Sequence, residues 1–181
     1  MDLPDDNFTP ARHPFSMAEQ YEHYHKLLLH VLAEAESLGF EVGVLVAGHY
    51  PLIDHARAAV LLFNKRRYSK YHGMLAWACL DYLFLEDRYS YAGDHAAGWE
   101  TSHLLALHPE TVDLGRLPPK GQPVTGVEGR LPPQEASAEL GRRTLEESAE
   151  EILKEVRHRL ENPGLYKQHG WSLREGLWRT R

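Results

Sequence analysis

The chain has 181 residues, and its 20 Lys and Arg are outnumbered by 26 Asp and Glu, for a formal net charge of −6 with histidine neutral. An acidic balance excludes nucleic acid as the expected partner, and no apolar stretch approaches the roughly 20 residues of a membrane helix, which excludes a membrane partner. The length suits a single domain, 1–181, able to bury about 70% of the surface its unfolded chain exposes without a disulfide or metal staple.

The N-terminus, Met1-Asp-Leu-Pro-Asp-Asp6, is acidic and does not resemble a secretion signal. The first helix is announced by Ser16-Met-Ala-Glu19, a capping-box pattern. Leu27, Leu28, Val31, Leu32, Ala35 and Leu38 follow at helical spacing, and Gly39 supplies the stop. His23 and His25 fall on its polar side, where exposure to solvent is the expectation, as it is for His158. The apolar, β-branched run Phe40–Ala47 reads as a central parallel strand covered on both faces. After Gly48-His49-Tyr50-Pro51 a second helix is marked by Ala56, Ala59, Val60 and Phe63. Lys65-Arg66-Arg67 stand where cations favour a helix C-terminus.

Gly73–Leu80 reads as the next buried strand. It contains Cys79, an inert buried thiol that cannot form an internal bridge; this cysteine usage places the chain in the cytoplasm. A short helix is expected over Glu100–Leu107, ending before Pro109. Residues 115–133, rich in proline and glycine, form an ordered surface loop. A long helix over Ala138–Leu160 carries Leu145, Ala149, Ile152 and Val156 on its apolar face and ends at Pro163-Gly164. The tail over 161–181 holds Trp171 and Trp178, which suggests docking. Alternating helices and strands give an α/β protein, a three-layer α/β/α arrangement with a mainly parallel sheet.

In such a sheet, ligands bind beyond the carboxyl ends of the strands. This points to two loops, one starting at Gly48 and one spanning Asp81 to Gly98. His49 is either a metal-ligand imidazole or a polar residue closing a strand end. In Tyr91-Ala-Gly-Asp-His-Ala-Ala-Gly-Trp-Glu-Thr-Ser102, the small residues Ala96, Ala97 and Gly98 are expected to leave room for a ligand. Glu100 is either a carboxylate favoured by the helix dipole or, with His95, half of a metal and acid–base pair. Asp54-His55, one turn after His49, fit an exposed helix face or a supporting role.

Leu45-Val-Ala-Gly-His-Tyr50 and, more specifically, Asp94-His-Ala-Ala-Gly-Trp-Glu-Thr-Ser102 resemble the creatininase (creatinine amidohydrolase) family. The second segment is similar to that family's His-Ala-Gly-x-x-Glu-Thr-Ser, and the likeness runs over about residues 8–160. The resemblance implies hydrolysis of a C–N bond in a linear or cyclic amide at a dinuclear zinc or manganese centre. His95 would be the catalytic acid/base, and His49 and Glu100 metal ligands. Tyr50, Trp99 and Ser102, from the same segments, and Tyr91 just before the second are the candidate substrate contacts. A homo-oligomer acting on a small-molecule amide is implied by the resemblance alone.

The sequence also departs from the family. The Glu-x-His-Gly segment that supplies further ligands is not reproduced by Asp5-Asp6-Asn7-Phe8 or His13, and the chain reads as N-terminally shortened. Ala47 replaces the asparagine before the Gly-His turn, and Pro51 stands where creatininase has a catalytic glutamate. The missing ligands would have to come from His13, Asp54, Asp94 or a neighbouring subunit. The competing reading is a degenerate relative that keeps the fold for ligand binding or assembly.

Overall fold

In a computed structural model, residues 16–67 and 73–166 are described, and they divide between two compact units, 1–80 with 155–181, and 81–154. The expectations placed on Asp5, Asp6, His13, Trp171 and Trp178 lie outside the described residues.

In the first unit, helix α1 (Met17–Ser37) begins as its sequence dictates. The Ser16 hydroxyl accepts the Glu19 N–H while the Glu19 carboxylate accepts the Ser16 N–H at 2.8 Å. It ends in a reversed turn at Gly39, whose φ of +87° only glycine adopts without strain. The Gly39 N–H donates to the Glu36 carbonyl and the Phe40 N–H to that of Ala35. Strand β1 (Val42–Val46) pairs in parallel with β2 (Leu75–Cys79), Val42 opposite Leu75 and Val46 opposite Cys79. Helix α2 (Leu52–Arg67) makes the crossover between them, burying Ala56, Ala59, Val60 and Phe63 as its spacing predicts. The basic cluster sits in its last turn.

Asn64 on α2 performs a specific task. Its side-chain carbonyl accepts the Ala76 N–H at 3.0 Å, and its amide donates to the Ala76 carbonyl at 2.9 Å. A side chain thus stands in for a neighbouring strand and satisfies two backbone groups of β2. Cys79 is buried, as expected. The expectation for β1 is corrected: its residues are half-buried and Val46 is 49% exposed, so it is not covered on both faces among the described residues. On α1, Leu32 is buried while Leu27 and Val31 are exposed, as is Leu38 just after the helix. At the far end of this unit, the buried Arg159 guanidinium lies over the rings of Trp77 (4.2 Å) and Tyr166 (4.6 Å), with the Glu155 carboxylate 2.6 Å away.

The second unit runs through a 3₁₀ turn at Tyr82–Phe84 and the fully buried Leu85 to α3 (Gly98–Leu107). A long loop broken by short 3₁₀ turns follows, and then the first part of α4 (Ala138–Glu161), which is succeeded by the short α5 (Pro163–Tyr166). The expected apolar face of α4 is also corrected. Leu145, Ile152 and Val156 are half-buried and Ala149 is exposed, whereas Leu140, Gly141, Thr144 and Ser148 are buried. The reason is close helix contact: a Cβ at Gly141 would fall on the backbone carbonyl of Ser102 in α3. At Gly141 no side chain fits. The Thr144 hydroxyl is accommodated by donating to the Leu140 carbonyl at 2.9 Å within its own helix. These elements mix helices with a small parallel sheet, an α/β architecture. No helix among the described residues is long and apolar enough to cross a membrane.

Candidate active-site turn before helix α3

The turn that carries His95 and Glu100 is built by three carboxylate and backbone anchors. Asp94, 7% exposed, accepts the Trp99 N–H on Oδ2 at 2.6 Å and the Glu100 N–H on Oδ1 at 3.1 Å. It satisfies amides that the first turn of α3 leaves without intrahelical partners. Burial raises the Asp94 carboxyl above its ordinary range, and the N–H donors of Glu100, Trp99 and Ala97 pull it back. Glu100 reaches backward, its Oε2 accepting the Ala96 N–H at 2.7 Å. The third anchor is backbone: His95 and Glu128 exchange both of their hydrogen bonds, at 2.6 and 2.9 Å, in an isolated antiparallel bridge, and the Gly98 N–H donates to the Leu131 carbonyl at 2.8 Å.

Held this way, Ala96 takes a φ of +52°, and it is the one non-glycine residue with positive φ among the described residues. Such a conformation is disfavoured by roughly 1–2 kcal/mol for a residue with a Cβ. The imidazole of His95 is on the exposed side of this turn.

Ala96 is exposed, but Ala97 and Gly98 are buried and do not leave space for a ligand, and for those two the expectation is corrected. A Cβ at Gly98 would strike the Leu131 side chain, and one at Gly129 would lie 2.6 Å from the Asp94 Cβ and 2.7 Å from the Ala97 Cβ. Their smallness lets segment 128–132 pack directly against the turn.

The remaining predicted residues divide by burial. Trp99 and Ser102 are fully buried. The Ser102 hydroxyl donates to the Gly98 carbonyl at 2.5 Å and accepts the Ser137 N–H at 3.0 Å, joining α3 to the segment leading into α4. Tyr91 is half-buried with its ring 6.3 Å from that of Trp99. In the first unit, His49 is exposed and Tyr50 half-buried just beyond β1, with the Leu52 and Ile53 N–H groups donating to their carbonyls to open α2. Asp54 is 85% exposed, with Arg57 at 3.9 Å.

His103, unremarked in the sequence, is the half-buried histidine of this unit. Its Nε2 lies 3.0 Å from the Thr144 hydroxyl. The same hydroxyl lies 2.9 Å from the Leu140 carbonyl, and the other ring nitrogen, Nδ1, lies 3.9 Å from an Asp81 carboxylate oxygen. Burial lowers the His103 pKa, against the opposing pull of Asp81 and Asp94, which fits a neutral imidazole packed edge-on against Trp99. Its position three residues after Glu100, on the same helix face, was the available signal.

His49 and Glu100 are donor types that suit zinc or manganese. Two donors nevertheless fall short of the three protein ligands of a catalytic zinc site. Among the described residues no group of three or more His, Cys, Asp or Glu is placed to hold a metal ion. Asp94, considered above as a replacement ligand, is instead occupied by the amides of α3.

Residues 7–156 match the family model for creatininase, described as creatinine amidohydrolase. This chain belongs to the creatininase family. Its fold is that of a solved creatinine amidohydrolase (creatininase), with a TM-score of 0.63 at 22% identity over 77% of this chain and 64% of that one. A mutant creatininase of Zn–Zn type and a manganese creatininase match with TM-scores of 0.61, each at 22% identity. The chain therefore spans slightly less than two thirds of the length of the first of these structures. No match was found among the curated proteins.

Proposed function

We propose that this chain acts as a creatininase-type amidohydrolase on the C–N bond of a small amide, with His95 as the proton-transfer group. The reading gives Glu100 and His49 metal-ligand roles toward zinc or manganese. The supporting observation is the Ala96 turn. A left-handed alanine persists where its surroundings over-determine it, and such strain collects at functional sites. Here Asp94, Glu100 and Glu128 hold a turn whose exposed side chain is His95. An imidazole so placed can give a proton to a departing nitrogen. Trp99 and Ser102, being buried, would support the site from beneath, leaving Tyr91 and Tyr50 as the candidate substrate contacts.

Relatives include a mutant creatininase solved with creatine and the zinc and manganese forms, which makes a small guanidino or amide compound and those two ions the first to assay. The test is hydrolysis of creatinine and of simple N-acyl amides by the full chain with added Zn²⁺ or Mn²⁺. Turnover that disappears in His95→Ala and in Glu100→Ala supports the proposal; its absence across the panel and both ions, or its persistence in both variants, refutes it. One feature favours a second reading, a ligand-binding relative without turnover: Pro51 precedes α2 at a position where the family resemblance calls for a glutamate. Calorimetric binding of creatine or creatinine without product formation would select it.

A further inference from the structure

His25 on α1 and His55 on α2, both in the first unit, face each other with Nε2 of His25 and Nδ1 of His55 3.4 Å apart. The sequence predicts His25 to be simply solvent-exposed; instead it is half-buried at a helix–helix contact. The ring of His55 is held by aromatic neighbours, stacked on Tyr21 at 4.3 Å and met edge-on by Tyr24 at 5.9 Å. The backbones beneath are fixed by the capping box at Ser16 and by the buried residues Ile53, Ala56 and Ala59 of α2.

We propose that His25 and His55 form a two-imidazole site for a divalent cation of zinc-like softness. Two lone pairs cannot face each other at this separation without a cation between them, either a proton or a metal ion. Two Zn–N bonds of about 2.05 Å at the tetrahedral angle place the nitrogens about 3.3 Å apart, close to the spacing found. Imidazole donors select zinc, copper or nickel over magnesium or calcium. In the metal-free pair one inner nitrogen carries the ring proton of the hydrogen bond. On binding, that proton moves to the outer nitrogen of the same ring, so both inner nitrogens donate and no net proton is released. With two protein donors, water completes the coordination and the ion is exchangeable. The segments that carry the family resemblance assign neither residue.

The full chain, stripped of metal, is titrated with Zn²⁺ by calorimetry. The wild type is expected to bind one equivalent more than either His25→Gln or His55→Gln, or to bind that equivalent about tenfold or more tightly than each. His30→Gln, altering an exposed histidine of α1 paired with Glu34, is expected to leave binding unchanged. His25→Asp, which restores a donor, is expected to recover part of the affinity, and this separates loss of a ligand from loss of the fold. Co²⁺ bound to the wild type should show the strong visible bands of tetrahedral coordination and lose them in both glutamine variants. Equal stoichiometry and affinity in wild type and variants, or a loss in only one of the two, overturns the proposal.

Discussion

Replacing Asp94 with alanine tests whether the turn before α3 is built as described. The substitution removes the acceptor for the Trp99 and Glu100 N–H groups, at 2.6 and 3.1 Å, in a site where Asp94 is 7% exposed. A hydrogen bond to a charged group contributes about 1.5–3 kcal/mol, so two give an upper limit of about 6 kcal/mol. Cap deletions, in which the freed amides regain water, usually cost about 1 kcal/mol and up to about 2. Part of the loss is also offset because burial disfavours the Asp94 charge. Balancing these terms gives about 2–3 kcal/mol, or roughly 4–12 °C in Tm for a chain of this size. Urea unfolding followed by tryptophan fluorescence measures it.

The pH dependence follows from the raised carboxyl. A raised folded-state pKa contributes stability that is full below the unfolded value of about 3.9 and is lost as pH rises through the folded one. The difference between wild type and Asp94→Ala is therefore expected to widen from pH 7 towards pH 4. A loss below about 0.5 kcal/mol at pH 7 would refute the capping role, since a single exposed cap already exceeds it.

Ala96→Gly removes the left-handed strain of roughly 1–2 kcal/mol and adds about 0.5–1 kcal/mol of backbone entropy cost, so a stabilisation of up to about 1.5 kcal/mol by the same unfolding assay is expected. Gly141→Ala is expected to destabilise by about 3 kcal/mol in that assay because its Cβ meets the Ser102 carbonyl; helix propensity alone predicts the opposite sign, a gain of about 1 kcal/mol. For His103, burial depresses the folded pKa, so its contribution is present above the unfolded value of about 6.5 and is lost as pH falls through the folded one. His103→Gln should flatten the fall in wild-type stability below about pH 6.5, as measured by urea midpoints across that range.

The sequence by itself determined the local and periodic features. The capping box at Ser16, the reversed turn at Gly39, the buried face of α2 and the strand cores at 42–46 and 75–79 depend on neighbours within a few residues, and local pattern records them. It also carried the motif that places the chain in its family, because His95 and Glu100 lie on one short segment.

Tertiary structure decided what depends on distant partners. Whether Ala97 and Gly98 face space or a packed neighbour rests on Gly129 and Leu131, more than 30 residues on in the sequence. The buried residues of α4 are Leu140, Gly141, Thr144 and Ser148 rather than its aliphatic stripe, and at Gly141 the backbone of Ser102 in α3 leaves no room for a side chain. The acceptor of the amides of α3 turned out to be Asp94, a residue whose charge in the sequence suits a metal ligand equally well. His25 and His55, 30 positions apart, meet because two helices pack side by side. Periodicity reports which face of an element is apolar; which face is covered, and by what, is settled by the partner's shape and its unsatisfied polar groups.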